Sequence, residues 1–114
     1  MNLIGVGIDI VETSRFLSFK KNRDSHFLLN NYGKEELDYC FSFKNPVPHL
    51  AGTFAAKEAV FKALARDDIL LSLIRIKRGK NRQPVVWIKN TLQKSIMVSI
   101  SHIEKIAVAV AVKK

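Results

Sequence analysis

The sequence predicts an α+β fold, and three observations carry that prediction. Residues 3–11 form a short Ile/Val-rich run that reads as a buried strand. Leu50 to Ala65 is a long segment with apolar residues at helical spacing. From Leu73 onward the chain is rich in branched residues interrupted by turn-forming ones. A strand, then helices, then consecutive strands is the order of an α+β domain rather than of repeated βαβ units. The 114 residues suit a single domain spanning 1–114.

The first strand, Leu3 to Val11, contains Gly5 and Gly7, which in a strand mark a bend or a close approach of another backbone. Glu12 to Lys21 reads as a short helix with Phe16 and Phe19 on one side, and Asn22 to Ser25 as a break. His26 to Asn30 and Lys34 to Phe43 read as two further helices separated by Gly33. Asn45, Pro46 and Pro48 place a loop before the long helix, which ends at the polar turn Arg66, Asp67, Asp68. Strands are expected at Leu73–Arg78, Val85–Lys89, Ile96–Ser101 and Ile106–Val112, with turns at Gly79–Pro84 and His102–Lys105.

Bulk properties narrow the function classes. The formal net charge of +9 points to acidic partners, whether nucleic acid, anionic lipid, acidic protein or phosphorylated small molecule. The lone Cys40 offers no internal disulfide and reads as a small buried hydrophobe in an apolar helix. No apolar run approaches the ~20 residues of a membrane span, and no basic region marks a signal peptide. These features give the expectation of a cytoplasmic protein.

Two charged positions stand out. Asp9 is a carboxylate inside an otherwise apolar strand, and the long helix carries only Lys57, Glu58 and Lys62 as charges between Leu50 and Ala65. Burying a carboxylate is costly without compensation, and two such carboxylates invite a shared cation. Magnesium typically takes one or two carboxylates and completes its shell with water and substrate phosphates. Glu58 and Lys62, four residues apart, share a helix face. On residues alone two readings stay open: a metal–pyrophosphate site, or a helix ion pair with Asp9 capping a turn near Glu12.

Three segments weigh between them. Gly7-Ile8-Asp9-Ile10-Val11-Glu12, Gly52-Thr53-Phe54-Ala55-Ala56-Lys57-Glu58-Ala59 and Ser99-Ile100-Ser101-His102 resemble, in order and approximate spacing, the signature blocks of the holo-[acyl-carrier-protein] synthases, the small bacterial 4′-phosphopantetheinyl transferases. The resemblance implies an antiparallel sheet packed on a long central helix, and a homotrimer with active sites at subunit interfaces. It implies transfer of 4′-phosphopantetheine from coenzyme A to a serine of apo acyl carrier protein, in support of fatty acid biosynthesis. It also implies magnesium on Asp9 and Glu58, catalytic roles for Glu58 and Lys62, coenzyme A against Lys62 and His102, and acyl carrier protein against Arg15. Lys20, Lys21 and Arg23 extend the same basic stretch.

The sequence departs from the family pattern at three places. Thr53 stands where the family usually has arginine, Ala65-Arg66 where a glycine often follows the helix, and the Gly-Lys-Pro turn is stretched as Gly79-Lys80-Asn81-Arg82-Gln83-Pro84. A rival reading is a nucleic-acid module built on Arg75, Lys77, Arg78, Lys80 and Arg82 with Trp87. Without a recognition helix or an RNA-binding signature, the expectation is that neither nucleic acid nor a membrane is a partner.

Overall fold

The computed structural model describes residues 2–114. In chain order it comprises β1 (Gly5–Glu12), a 3-10 segment (Thr13–Phe19), α1 (His26–Asn31), α2 (Lys34–Phe41) and α3 (Val47–Leu64). It continues with β2 (Ile74–Arg78), β3 (Pro84–Ile88), β4 (Thr91–Leu92), β5 (Ile96–His102) and β6 (Ile106–Lys113). The α+β class is as the sequence predicts. The strands divide into two antiparallel three-stranded sheets, β1-β6-β5 and β2-β3-β4. α3 lies centrally, across the first sheet and against β2.

Gly5 and Gly7 explain how close the central helix comes. A Cβ on Gly7 would lie 1.9 Å from the Ala59 carbonyl oxygen, and one on Gly5 would lie 2.0 Å from that of Ala63. No side chain fits either place. The strand and helix backbones are therefore in direct contact, and the helix answers with alanines: Ala55, Ala56, Ala59 and Ala63 are all buried. α3 is buried continuously from Leu50 to Lys57, as expected of a helix apolar on every side.

Several expected boundaries shift for local reasons. α3 begins at Val47, three residues before Leu50, because Pro48 occupies its first turn, where the missing N–H leaves no bond unmade. It ends on Ala65 in the left-handed region (φ 51°, ψ 39°), the conformation that glycine adopts more cheaply. The Glu12–Lys21 helix is a 3-10 segment, pinned by Phe16 packing on Phe54, Phe19 and Phe27. Leu73 belongs to a 3-10 turn and not to β2. β4 is an additional two-residue strand.

The first strand differs from the expectation of a buried segment. Gly7 and Val11 face α3, but Val6, Ile8 and Ile10 on the other face are 66 %, 62 % and 67 % exposed. Met97 of β5 and Val110 of β6 add to the exposed apolar residues of this sheet. A contiguous apolar surface of this kind marks an interaction face. Among the described residues no helix is long and apolar enough to cross a membrane.

Candidate active site

Alternation along β1 puts Asp9 on the side of Gly7 and Val11, facing α3. Its side chain is only 18 % exposed. One turn of α3 places Lys62 beyond Glu58, and Lys62 Nζ donates to Asp9 Oδ1 at 3.3 Å and to the Ile8 carbonyl at 2.9 Å. Glu58 is half-buried at the same place. Burial, then the neighbouring Asp9 charge, raises its pKa, while Lys62 and Arg15 oppose the rise. Asp9, Glu58, Lys62 and Arg15 thus share one electrostatic neighbourhood.

The donor set fits a divalent cation of the magnesium type. Two carboxylates converge, and the Glu58 side chain makes no hydrogen bond or ion pair to any described residue. No group of three or more His, Cys, Asp or Glu side chains is clustered among the described residues, as a fully protein-ligated metal would need. Two carboxylates with the remaining positions open to water and phosphate is the magnesium pattern.

His102 lies elsewhere. Glu58 follows His49 by nine positions in α3, about two and a half turns, so the two side chains leave opposite sides of the helix. His49 packs edge-on to His102, with ring centroids 5.4 Å apart. Together they line a pocket of about 180 Å³ with Tyr39, Gly52, Thr53 and Arg78. Arg78 sits 4.2 Å over the Tyr39 ring and has no carboxylate partner among the described residues. The His49 ring stacks on Phe43 at 3.6 Å. Burial, then His102 and Arg78, lowers the pKa of His49. No acidic side chain lines this pocket, so its chemistry is that of an anion site.

Thr53 lines the His102 pocket without adding a charge to it; it is buried, with its Oγ1 3.5 Å from the Cys40 thiol. Burial pushes that thiol up to about 12, so Cys40 is the inert hydrophobe the sequence suggests. Sequence reasoning did not single out His49, which lines the His102 pocket, and saw Arg78 only as part of a basic cluster. It also missed the buried pair between Lys57 Nζ and Glu36 Oε1, at 2.5 Å. A lysine in an all-apolar helix signals a hidden counter-ion, but nothing in the sequence points to Glu36. Of the basic stretch near Arg15, Arg23 is held by Asp38. The rival nucleic-acid surface loses its free aromatic, because Lys77 lies 4.2 Å over Trp87 and pairs with Glu35 at 3.6 Å.

Comparison with known proteins decides the family. Residues 5–111 match the profile of the ACPS family, the 4′-phosphopantetheinyl transferase superfamily. The chain belongs to this family. It is 39 % identical over 109 residues to the holo-[acyl-carrier-protein] synthase of Thermodesulfovibrio yellowstonii, covering 95 % of this chain and 96 % of that protein. Its structure superposes on that of Helicobacter pylori holo-[acyl-carrier-protein] synthase in complex with coenzyme A with a TM-score of 0.78, at 30 % identity over 96 % of this chain and 99 % of the other. The Neisseria meningitidis enzyme matches with a TM-score of 0.80 at 26 % identity, over 99 % of each chain. Asp9, Glu58, Lys62 and the His102 pocket therefore lie within a transferase fold.

Proposed function

We propose that this chain is a single-domain, magnesium-dependent holo-[acyl-carrier-protein] synthase. It transfers 4′-phosphopantetheine from coenzyme A to a serine of apo acyl carrier protein, releasing adenosine 3′,5′-bisphosphate. The observation that carries the reading is the convergence of Asp9, Glu58 and Lys62 in a chain of this family. The expected setting is the cytoplasm, in support of fatty acid biosynthesis.

Asp9 and Glu58 would hold the magnesium ion, which supplies neutralisation of charge developing on the pyrophosphate. Lys62 binds pyrophosphate oxygens with its ammonium, on a stem long and exposed enough to follow them. Glu58, its pKa raised toward the working range, accepts the proton of the attacking serine hydroxyl. The serine oxygen bonds to the β-phosphorus, and the bridging phosphorus–oxygen bond breaks towards the adenosine-bearing phosphate. His102, with His49 and Arg78, takes the anionic adenosine end of coenzyme A. The deciding experiment is intact mass spectrometry of apo carrier protein incubated with this protein, coenzyme A and magnesium. The expected gain is one phosphopantetheine, abolished by a chelator; no gain on several folded apo carriers overturns the assignment.

The two halves of the site lie on opposite sides of α3, and the outer face of β1-β6-β5 is apolar and exposed. Both features support a homotrimer in which the His102 pocket of one protomer meets Asp9 and Glu58 of its neighbour. Co-expressing Glu58→Gln with His102→Ala chains tests this. Mixed assemblies should recover a measurable part of the wild-type rate that neither variant has alone. No recovery, or a monomer by light scattering, rules the shared site out.

Arg15 stands beside the reacting cluster, 5.7 Å over the Phe54 ring, where an acidic partner can reach it. Arg15→Glu is expected to raise KM for the carrier by about tenfold and leave KM for coenzyme A nearly unchanged, since charge complementarity acts on protein encounter. Equal changes in both constants would argue against this role. His49 gives a pH signature. Its pKa is lowered in the free protein, and a bound phosphate dianion raises it, so binding takes up a proton. Coenzyme A should therefore bind more tightly as pH falls from about 7 to 6. His49→Phe should flatten that slope in a calorimetric titration; an unchanged slope would assign the proton elsewhere.

A further inference from the structure

The contact between Lys62 and Asp9 carries a consequence for the order of binding, resting on the site reading just given. The Lys62 side chain is 52 % exposed, whereas Asp9 is 18 % exposed. The ammonium thus reaches in from solvent and occupies a carboxylate oxygen that a metal would need. Its second partner, the Ile8 carbonyl at 2.9 Å, belongs to β1, the edge strand of its sheet. The three charges are shared unevenly: Asp9 has the ammonium at 3.3 Å, and Glu58 has no ion-pair partner among the described residues.

We propose that Lys62 is a displaceable stand-in for the metal, holding Asp9 while the site is empty and passing to the pyrophosphate when coenzyme A arrives. A lysine ammonium is a compact charge on a flexible four-carbon stem, suited to exchanging one oxygen partner for another. While it sits on Asp9 it competes with a divalent cation for the same oxygen and repels it. Once it pairs with the pyrophosphate it frees Asp9. Coenzyme A and the metal then strengthen each other's binding, and linkage requires the effect to be reciprocal. Arg15, the other cation near Glu58, forms no ion pair with Asp9 among the described residues and does not take part in this exchange.

The test uses Mn²⁺ as a spectroscopic probe, with no carrier protein present, so no turnover occurs. Free Mn²⁺ is followed by electron paramagnetic resonance during titration of the wild type, Lys62→Met and Asp9→Asn, each with and without coenzyme A. Without coenzyme A, Lys62→Met should bind Mn²⁺ more tightly than wild type by about fivefold, the scale of one exposed ion pair. Coenzyme A should tighten Mn²⁺ binding more in the wild type than in Lys62→Met. The residual coupling in the variant measures the direct metal–phosphate contact. Equal or weaker Mn²⁺ binding by Lys62→Met in the free protein, or equal coupling in both proteins, overturns the proposal. Asp9→Asn separates the two levels of inference. It should weaken Mn²⁺ binding in every condition, and wild-type affinity in that variant removes the metal site itself and this proposal with it.

Discussion

Glu58→Gln is expected to leave the chain folded and to lower the initial transfer rate by about a hundredfold or more. Changes to the groups that merely orient a metal's ligands already cost about 10–100-fold, and on the proposed reading this change removes a ligand and the proton acceptor together. An amide neither neutralises a cation nor accepts the serine proton at neutral pH. Stability should move the other way. Burial and Asp9 raise the Glu58 pKa, so the folded protein binds that proton more tightly than the unfolded chain does. The charged form therefore costs stability as pH rises through the unfolded and then the folded pKa. At neutral pH the glutamine variant should melt at or slightly above the wild-type temperature. Below the carboxylate range, where Glu58 is protonated, the difference should close. The effect is small because the group is half-exposed. Intact-mass rates and melting curves across pH measure both quantities. A rate within a few-fold of wild type would remove Glu58 from the chemistry; a large loss of stability would make it a structural residue.

The charged cluster proposed as the reacting centre was legible because each member broke a local pattern. Asp9 interrupts an apolar strand, and Glu58 and Lys62 interrupt an apolar helix at the spacing that makes them neighbours. The class of fold was legible from the order of strand, helix and strand patterns. The exposed face of β1 was not. Val6, Ile8 and Ile10 read as core because the sequence records only that a surface avoids water, not whether the chain itself or another copy covers it. His49 was equally hidden. Its meaning depends on His102, brought next to it by the packing of α3 on β5, and no local spacing encodes a contact between residues so far apart in sequence. Arg78 read as one more surface cation until the fold placed it over Tyr39, in the same pocket.

Lys57, the residue next to Glu58, separates stability from chemistry. Its side chain is wholly buried, and its pKa is pushed down by burial to about 8 while Glu36 acts against that shift. The Glu36 carboxylate, 2.5 Å away, favours its charged form. Glu36 is the hub of three elements: Oε1 accepts from Lys57 and from the Gly33 amide at the start of α2 (2.8 Å), and Oε2 accepts from the Ile76 amide in β2 (2.9 Å). Removing one partner of a buried pair leaves the other charge uncompensated, which costs about 3–5 kcal/mol. Lys57→Met should therefore lower the melting temperature by roughly 10 °C or more in a domain of this size. Adding Glu36→Gln should restore part of that loss, because a neutral amide oxygen still accepts from a backbone amide and no bare carboxylate remains. A double-mutant cycle gives the coupling directly. A cost below about 1 kcal/mol for Lys57→Met, or no recovery in the double variant, would contradict the hub. Assayed well below its melting point, Lys57→Met should keep a near-normal KM for coenzyme A, since a side chain with no exposed surface cannot touch a substrate. Neighbouring positions on one helix would then fail in opposite ways: Glu58→Gln folded without catalysis, and Lys57→Met catalytic only while it stays folded.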